Sequence, residues 1–183
     1  MRTSAKRALV AAIAVVAFGA LAGSASATMT WSGSAPWTAT SGAISLSGGL
    51  SGCDSSVLTL DNPVSLGAGL GGTGKVTDAT FDTCDLLGSS ADVTATNLPW
   101  NLSVTPGSPD GLQVTGVRVV LDGFIDCIYA GSLTADSWSG NNTATFSGAS
   151  GLTKQSGSSF FCPSSPSFAG TYVLDGSVTV DPS

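Results

Sequence analysis

The feature that most constrains the fold of this chain is the alternation of apolar residues with Ser and Thr. In segments such as 76–81 and 172–180, apolar side chains recur at about every second position, which places them on one face of an extended strand. Beyond residue 27 we find no segment with helical spacing of apolar residues. The clearest predicted strands are 56–60, 76–81, 93–96, 112–121, 124–133, 143–146 and 172–180.

Turn-forming residues separate these strands. An Asp-Gly pair at 122–123 lies between Val119–Leu121 and Phe124–Ile125, and this pair favours a tight hairpin. A second Asp-Gly pair, at 175–176, divides the last predicted strand. Many short strands at this spacing predict an all-β fold, a single antiparallel β-sandwich, with a closed β-barrel as the alternative.

The N-terminal segment has the parts of a secretory signal peptide. Basic residues precede the apolar run 8–21, which is too short to span a bilayer, and the Ala-Ser-Ala at 25–27 supplies a cleavage pattern. An uncleaved membrane anchor is the alternative, but no basic cluster follows the run. We therefore predict a cleaved, helical signal peptide over 1–27. Residues 28–183 would then form a β domain that is secreted or associated with the cell envelope.

The charge of the exported part excludes two classes of partner. After cleavage Lys75, Arg118 and Lys154 remain against twelve Asp and no Glu, which gives a net charge of −9. Nucleic-acid binding requires clustered Lys and Arg, which these three scattered residues do not form. The same negative sign repels anionic lipid surfaces. We therefore expect neither nucleic acid nor a membrane as a partner of the mature chain.

Four cysteines lie in the exported part, at Cys53, Cys84, Cys127 and Cys162. Export places them in an oxidising compartment, so two disulfides are expected. Four cysteines allow three connectivities, of which sequential pairing is the simplest. A zinc site is the competing use, but it requires closely spaced cysteine pairs that this chain lacks.

The sequence carries no recognisable catalytic chemistry. It contains no His, so Ser-His-Asp and Cys-His arrangements are excluded, and no Gly-x-Ser-x-Gly elbow occurs. The glycine-rich run 69–75 resembles a phosphate-binding loop, but a strand-like segment follows where a helix is required. An Asp-based hydrolase stays possible because two Asp could flank a cleft. We predict no catalytic residues, no cofactor and no metal.

Aromatic residues offer one candidate binding surface. Trp31, Trp37, Trp100 and Trp138 could stack against a sugar or another small ligand. The alternative is that these rings pack in the core and the turns.

Three segments also resemble a known group of proteins. Val76–Cys84 ends in a cysteine, Val93–Leu102 contains Leu-Pro-Trp, and Phe168–Tyr172 reads Phe-Ala-Gly-Thr-Tyr. In this order they resemble small secreted all-β proteins of high-GC Gram-positive bacteria, of the actinobacterial type and without a characterised function. The resemblance spans residues 52–180. It implies a single β domain with sequential disulfides, Cys53 with Cys84 and Cys127 with Cys162, and it implies no activity or binding residues.

These observations favour a non-enzymatic secreted or envelope-associated β domain with a structural or protein-interaction role. The candidate partners are a cell-wall component or another secreted protein. A small-ligand or glycan-binding module that uses exposed aromatics is the alternative, and an Asp-based hydrolase is the third hypothesis.

Overall fold

The computed structural model describes residues 28–32, 36–46, 51–65, 71–105, 111–139, 142–148, 151–175 and 177–181. The predicted signal peptide therefore lies outside the described residues. Within them the chain forms fourteen strands and no helix. The strands are β1 (Thr28–Ser32), β2 (Trp37–Ser41), β3 (Ile44–Leu46), β4 (Ser51–Ser65), β5 (Gly72–Leu86), β6 (Ser89–Ala95), β7 (Trp100–Thr105), β8 (Gly111–Asp122), β9 (Cys127–Thr134), β10 (Ser137–Ser139), β11 (Thr143–Gly148), β12 (Thr153–Lys154), β13 (Phe168–Leu174) and β14 (Ser177–Asp181).

Twelve of these strands form one antiparallel sheet, and β1 pairs separately with β14. The main path runs β10-β11-β13-β2-β4-β5-β6-β8-β9-β12. β2 and β3 share one place in the sheet, because each pairs with β13 on one side and with β4 on the other. In the same way, β6 and β7 each pair with β5 and with β8. The predicted all-β antiparallel fold is thus confirmed, with twelve strands in one sheet and β1 and β14 in a separate pair.

A short corner between β9 and β10 contacts β8 and β11, two strands that lie far apart along this path. The amide of Ala135 donates to the carbonyl of Leu112 in β8, and the amide of Asp136 donates to that of Thr145 in β11. The Asp136 carboxylate also accepts hydrogen bonds from the hydroxyl and the amide of Ser147, which lower its pKa. At this corner, two successive residues therefore make backbone hydrogen bonds to different strands, the first to β8 and the second to β11.

The buried side chains lie between the two halves of the curled sheet. Residues of β2, β11 and β13 line the same interior spaces as residues of β7 and β8. Phe146 contacts Phe168 and Tyr172 edge to face, with ring centroids 5.4 and 6.1 Å apart. Full burial of a large apolar side chain contributes about 1.5–3 kcal/mol. The alternating pattern of the sequence therefore supplies one continuous core.

β5 changes its inward face twice, which a strict two-residue period does not anticipate. Val76 is buried, but after a register shift against β4 the next buried residue is Ala79. Thr83 has a left-handed backbone, with φ of 48°, and Cys84 follows it as a buried residue. These two irregularities keep both ends of a fifteen-residue strand facing the core.

The predicted strands coincide with observed ones, with two corrections at the turns. The hairpin of β8 and β9 exists, but its loop spans 123–126, so Phe124 and Ile125 are not in a strand. The second Asp-Gly pair does separate two strands, yet β14 pairs with β1 rather than with β13. Local turn chemistry placed a strand end at each Asp-Gly pair, and it could not identify the pairing partner of β14.

Candidate functional site: an apolar end braced by two disulfides

The tryptophans that sequence analysis singled out lie in the core wherever their side chains are described. Trp37, Trp100 and Trp138 are between 3% and 7% exposed. The indole Nε1 of Trp100 donates to the carbonyl of Thr96 at 2.9 Å, which fixes the bend between β6 and β7. Trp31 belongs to β1, and its side chain lies outside the described ones. The three buried rings occupy packing positions, and they offer no broad face to a ligand from solution.

The four cysteines form the two expected disulfides, Cys53–Cys84 and Cys127–Cys162. The first joins directly opposite residues of β4 and β5, with Cα atoms 4.0 Å apart. The second joins the first residue of β9 to the loop 155–167, with Cα atoms 5.7 Å apart. The sequential pairing is confirmed. Disulfides indicate an oxidising compartment for the folded protein.

Both disulfides lie at the same end of the sheet, where large apolar side chains are exposed. Leu87 is 50% exposed, Phe124 62%, Phe160 90% and Phe161 72%. We call these four residues the apolar end. Val173, at 48%, also stands out among the described residues, but it lies within β13. Single exposed apolar side chains are ordinary on protein surfaces, whereas a contiguous apolar patch is typical of a contact site.

Backbone pairing brings the loops of the apolar end together. Leu87 lies in the turn between β5 and β6, and Phe124 lies in the loop between β8 and β9. β6 pairs with β8 so that Asp92 stands opposite Asp122. An atom added at the Cβ position of Gly123 would lie 3.3 Å from the Cβ of Ala91. The two loops are therefore neighbours.

The loop 155–167 carries Phe160 and Phe161 and is held along the start of β9. The amide of Gln155 donates to the carbonyl of Ile128, and the amide of Ser159 donates to that of Asp126, both at 2.8 Å. The hydroxyl of Ser158 accepts from the Ile128 amide and donates to its carbonyl. These bonds and the buried Cys162 fix the loop on both sides of the phenylalanine pair.

The two phenylalanine rings contact each other rather than the core. Their centroids are 6.0 Å apart at an interplanar angle of 76°. Cys162, the next residue, is 3% exposed. The Cys162 side chain therefore points into the protein, whereas both phenylalanine rings point into solvent. The disulfide and the hydrogen bonds of the loop keep the rings exposed.

Carboxylates border the apolar end. Asp92, Asp122 and Asp126 are exposed, and Asp85 is half-buried beside the β5–β6 turn, where its Oδ2 accepts from the amide of Gly88. Like charges that face each other across a strand pair, as Asp92 and Asp122 do, disfavour pairing. These carboxylates repel an anionic surface, and they have no such repulsion with an uncharged surface.

Sequence reasoning missed the apolar end because its four residues come from three separate loops. One signal was available: Phe160 and Phe161 stand together in the polar stretch 155–167, which has no alternation that would bury them in a strand. In the part of the chain that the structure describes, no group of three or more Asp or Cys residues is placed to hold a metal. No helix there is long and apolar enough to cross a membrane.

The fold and the site define a class: a disulfide-stapled antiparallel β domain that presents apolar side chains from loops at one end. Within that class, residues 1–182 match the family described as "Alkane oxidation protein activator PraA/PraB-like", and the chain belongs to this family. No curated protein matches the chain, and no solved structure does.

Proposed function

We propose that this protein is an exported, non-enzymatic activator of alkane oxidation that acts by contact, with its apolar end adsorbed at an alkane–water interface. The observation that carries the proposal is the exposure of Phe160 and Phe161, on a loop fixed by Cys127–Cys162. The family description supplies the process, alkane oxidation. The alternatives of a glycan-binding module and of an Asp-based hydrolase stay predictions.

The choice of an uncharged hydrocarbon as the contacted surface follows from two properties of the end. Its apolar side chains gain from leaving water, about 1.5–3 kcal/mol for a large one that is fully buried. Its bordering carboxylates disfavour anionic lipid, because a mature charge of −9 is repelled by such a surface. An alkane droplet carries no headgroup charge and receives the rings without an electrostatic cost.

The test compares a variant of the apolar end with a matched control. In Phe160→Ser/Phe161→Ser, we expect adsorption to n-hexadecane droplets to fall roughly tenfold or more, because two exposed rings are lost. The control Val173→Thr removes an exposed apolar side chain from β13, away from the end. We expect it to adsorb like the wild type.

Adsorption is measured as depletion of disulfide-bonded protein, residues 28–183, from the aqueous phase. The same three proteins are added to alkane-oxidising cells, and hexadecane-dependent oxygen uptake is recorded. We expect stimulation by the wild type and by the control, and its loss in the double variant. Equal stimulation by all three proteins would sink the contact mechanism at this end.

Export is the second part of the proposal, and it depends on the N-terminal segment. We infer that the chain is cleaved after Ala27 and is either released or retained at the cell envelope, as in the secreted actinobacterial-type proteins that it resembles. Mass spectrometry of protein from medium and envelope fractions should give Thr28 as the first residue. Protein that begins at Met1 in both fractions would contradict cleavage.

A further inference from the structure

The twelve-stranded sheet has a split between β5 and β6. The two strands pair at three positions only, and their ladder ends where Cys84 stands opposite Ala91. On this side β5 next pairs at Val76, opposite Trp100 of β7. Among the described residues, no strand pairs with the intervening residues 77–83 on this side, so that edge of β5 is free.

The facing edge of β6 is free over a shorter length. Residues 92–95 pair with β8 on one side, and on the side of β5 they have no paired residue. A continued ladder would place Thr83 opposite Asp92. The ladder ends at this point because the left-handed backbone of Thr83, with φ of 48°, interrupts the extended path of β5.

Both ends of the split are fixed by contacts within the chain. At one end, the disulfide Cys53–Cys84 ties β5 to β4 at the residue where the ladder stops. At the other end, the indole Nε1 of Trp100 donates to the carbonyl of Thr96. The two free edges therefore belong to the folded chain itself and do not depend on a bound partner.

A groove of about 510 Å³ runs along the split, and we call it the β5–β6 groove. Both edges line it, β5 with Phe81–Cys84 and β6 with Ser90–Thr94. The half-buried side chains of Phe81 and Val93 pack against the core and form its floor. Its volume lies within the range of roughly 300–1,000 Å³ that is usual for binding sites.

The free edges carry the strongest recognition groups of the groove. Successive residues of a strand direct their N–H and C=O groups to opposite edges, so about every second residue of 77–83 presents both groups to the groove. These groups need partners, which water or a bound molecule supplies. An extended peptide has donors and acceptors at the same spacing, and strand addition at a free edge is a general mode of peptide recognition.

The charges beside the groove select among peptides. Asp82 lies on one rim and Asp92 on the other, and both are exposed. Of the basic residues beyond residue 27, Lys75, Arg118 and Lys154, none lines the groove. Two carboxylates without a lining cation attract Lys and Arg side chains and repel Asp and Glu.

We propose that the β5–β6 groove binds an extended, basic segment of another polypeptide, which pairs its backbone with the free edge of β5 and places Lys or Arg beside Asp82 and Asp92. None of the four residues of the apolar end lines the groove. The groove is therefore a second contact site, and peptide binding there does not require adsorption to an alkane.

The experiment compares three pentapeptides on the disulfide-bonded protein, residues 28–183. They are acetyl-KVKVK-amide, acetyl-EVEVE-amide and a form of the first with every backbone amide N-methylated. Binding is followed by the amide resonances of Asp82 and Thr94 in ¹H–¹⁵N spectra. We expect the basic peptide to shift both resonances and the acidic peptide to leave them in place. Methylation should weaken binding roughly tenfold or more, because it removes the backbone donors.

Two outcomes of this comparison would overturn the proposal. Equal affinity of the methylated and unmethylated peptides would mean that charge alone attracts the peptide, without strand pairing. Resonances of Asp82 and Thr94 that stay in place at saturating basic peptide would mean that the groove is not the site.

Two variants of equal charge test the role of the rim carboxylates. In Asp82→Asn/Asp92→Asn, the affinity for acetyl-KVKVK-amide should fall roughly fivefold. The control Asp54→Asn/Asp126→Asn removes the same charge from exposed residues that do not line the groove, and it should bind within about twofold of the wild type. Equal losses in both variants would show that net charge, and not the groove, sets the affinity.

A last variant separates the groove from the apolar end. Phe160→Ser/Phe161→Ser should bind the basic peptide like the wild type, even where it no longer adsorbs to hexadecane. Loss of the peptide-induced shifts in this variant would place the peptide at the apolar end and overturn the proposal, whatever the outcome of the adsorption test.

Discussion

Gly131 is a position where a single added carbon atom has no room. Its φ of 150° is unfavourable for other residues, and a Cβ there would collide with the carbonyl oxygen of Gly151. The close approach is part of the structure, because the amide of Gly151 donates to the carbonyl of Ser132. We expect Gly131→Ala to lower the free energy of unfolding by about 1–3 kcal/mol.

The measurement is urea denaturation of the disulfide-bonded protein, with Gly42→Ala as the control. A Cβ at Gly42 meets nothing within 4 Å, so this variant should stay within about 0.5 kcal/mol of the wild type. Equal stability of the two variants would contradict the close packing of residue 151 on β9.

The two tyrosines of the chain make its stability sensitive to alkaline pH. Burial raises the pKa of Tyr129 to about 12, and it raises that of Tyr172 to about 12 against the opposing hydrogen bond with Ser56. The unfolded chain ionises near 10, so the stabilisation is complete below pH 10 and is lost as pH rises toward 12. We expect the free energy of unfolding to fall in that window by about 1.4 kcal/mol per pH unit for each tyrosine.

Denaturation at a series of pH values tests this, with Tyr129→Phe as the informative variant. The Tyr129 hydroxyl is buried without a hydrogen-bond partner, so its removal costs no bond at neutral pH. The variant should match or exceed the wild type at pH 7 and should lose less stability between pH 10 and 12. A slope equal to that of the wild type would show that Tyr129 does not carry the effect.

Among the secondary-structure elements, the sequence predicted those features that depend only on the local pattern of residues. Alternation located the long strands, and the pairing of Cys53 with Cys84 matched the resemblance. The sequence could not predict the inward face of β5, because the left-handed Thr83 resets the alternation. It could not predict the apolar end either, because the loops that carry Leu87, Phe124 and Phe160 reach the same end of the sheet only through the pairing of β6 with β8 and through Cys127–Cys162.

The two disulfides hold different kinds of element, so their removal should have different local effects. Cys53–Cys84 lies inside the β4–β5 ladder, with paired residues on both sides. Cys127–Cys162 anchors a loop whose strand β12 has two residues. In the chain-entropy description each closed loop contributes about 3–4 kcal/mol, so both double-alanine variants should lose stability by similar amounts.

We expect local protection to distinguish the two variants. In Cys127→Ala/Cys162→Ala, the amide hydrogen of Ser159 should exchange with solvent much faster, because the loop loses the disulfide that holds it against β9. In Cys53→Ala/Cys84→Ala that amide should keep its protection. Hydrogen exchange by NMR provides the measurement, and retained protection of Ser159 in both variants would contradict the anchoring role of the second disulfide.

At the scale of the whole molecule, the apolar end and the net charge act against each other at an interface. If the protein adsorbs as proposed, many copies lie side by side, and a chain cleaved after Ala27 as proposed carries a charge of −9, from three Lys and Arg against twelve Asp. Repulsion between neighbours limits coverage at low salt, where the screening length is roughly 30 Å at 0.01 M, and weakens at 1 M, where it is about 3 Å. We therefore expect the coverage of a hexadecane surface to rise with sodium chloride concentration between these limits.

The salt response also tests whether adsorption belongs to the apolar end or to the charged surface as a whole. Ellipsometry of the wild type and of Phe160→Ser/Phe161→Ser, at equal protein concentration, supplies the comparison. Screening removes repulsion but creates no apolar contact, so the double variant should stay poorly adsorbed at 1 M salt while the wild type gains coverage. Wild-type coverage that falls with salt would mean that charge attracts the protein to the surface. Salt rescue of the double variant would mean that the rings are dispensable.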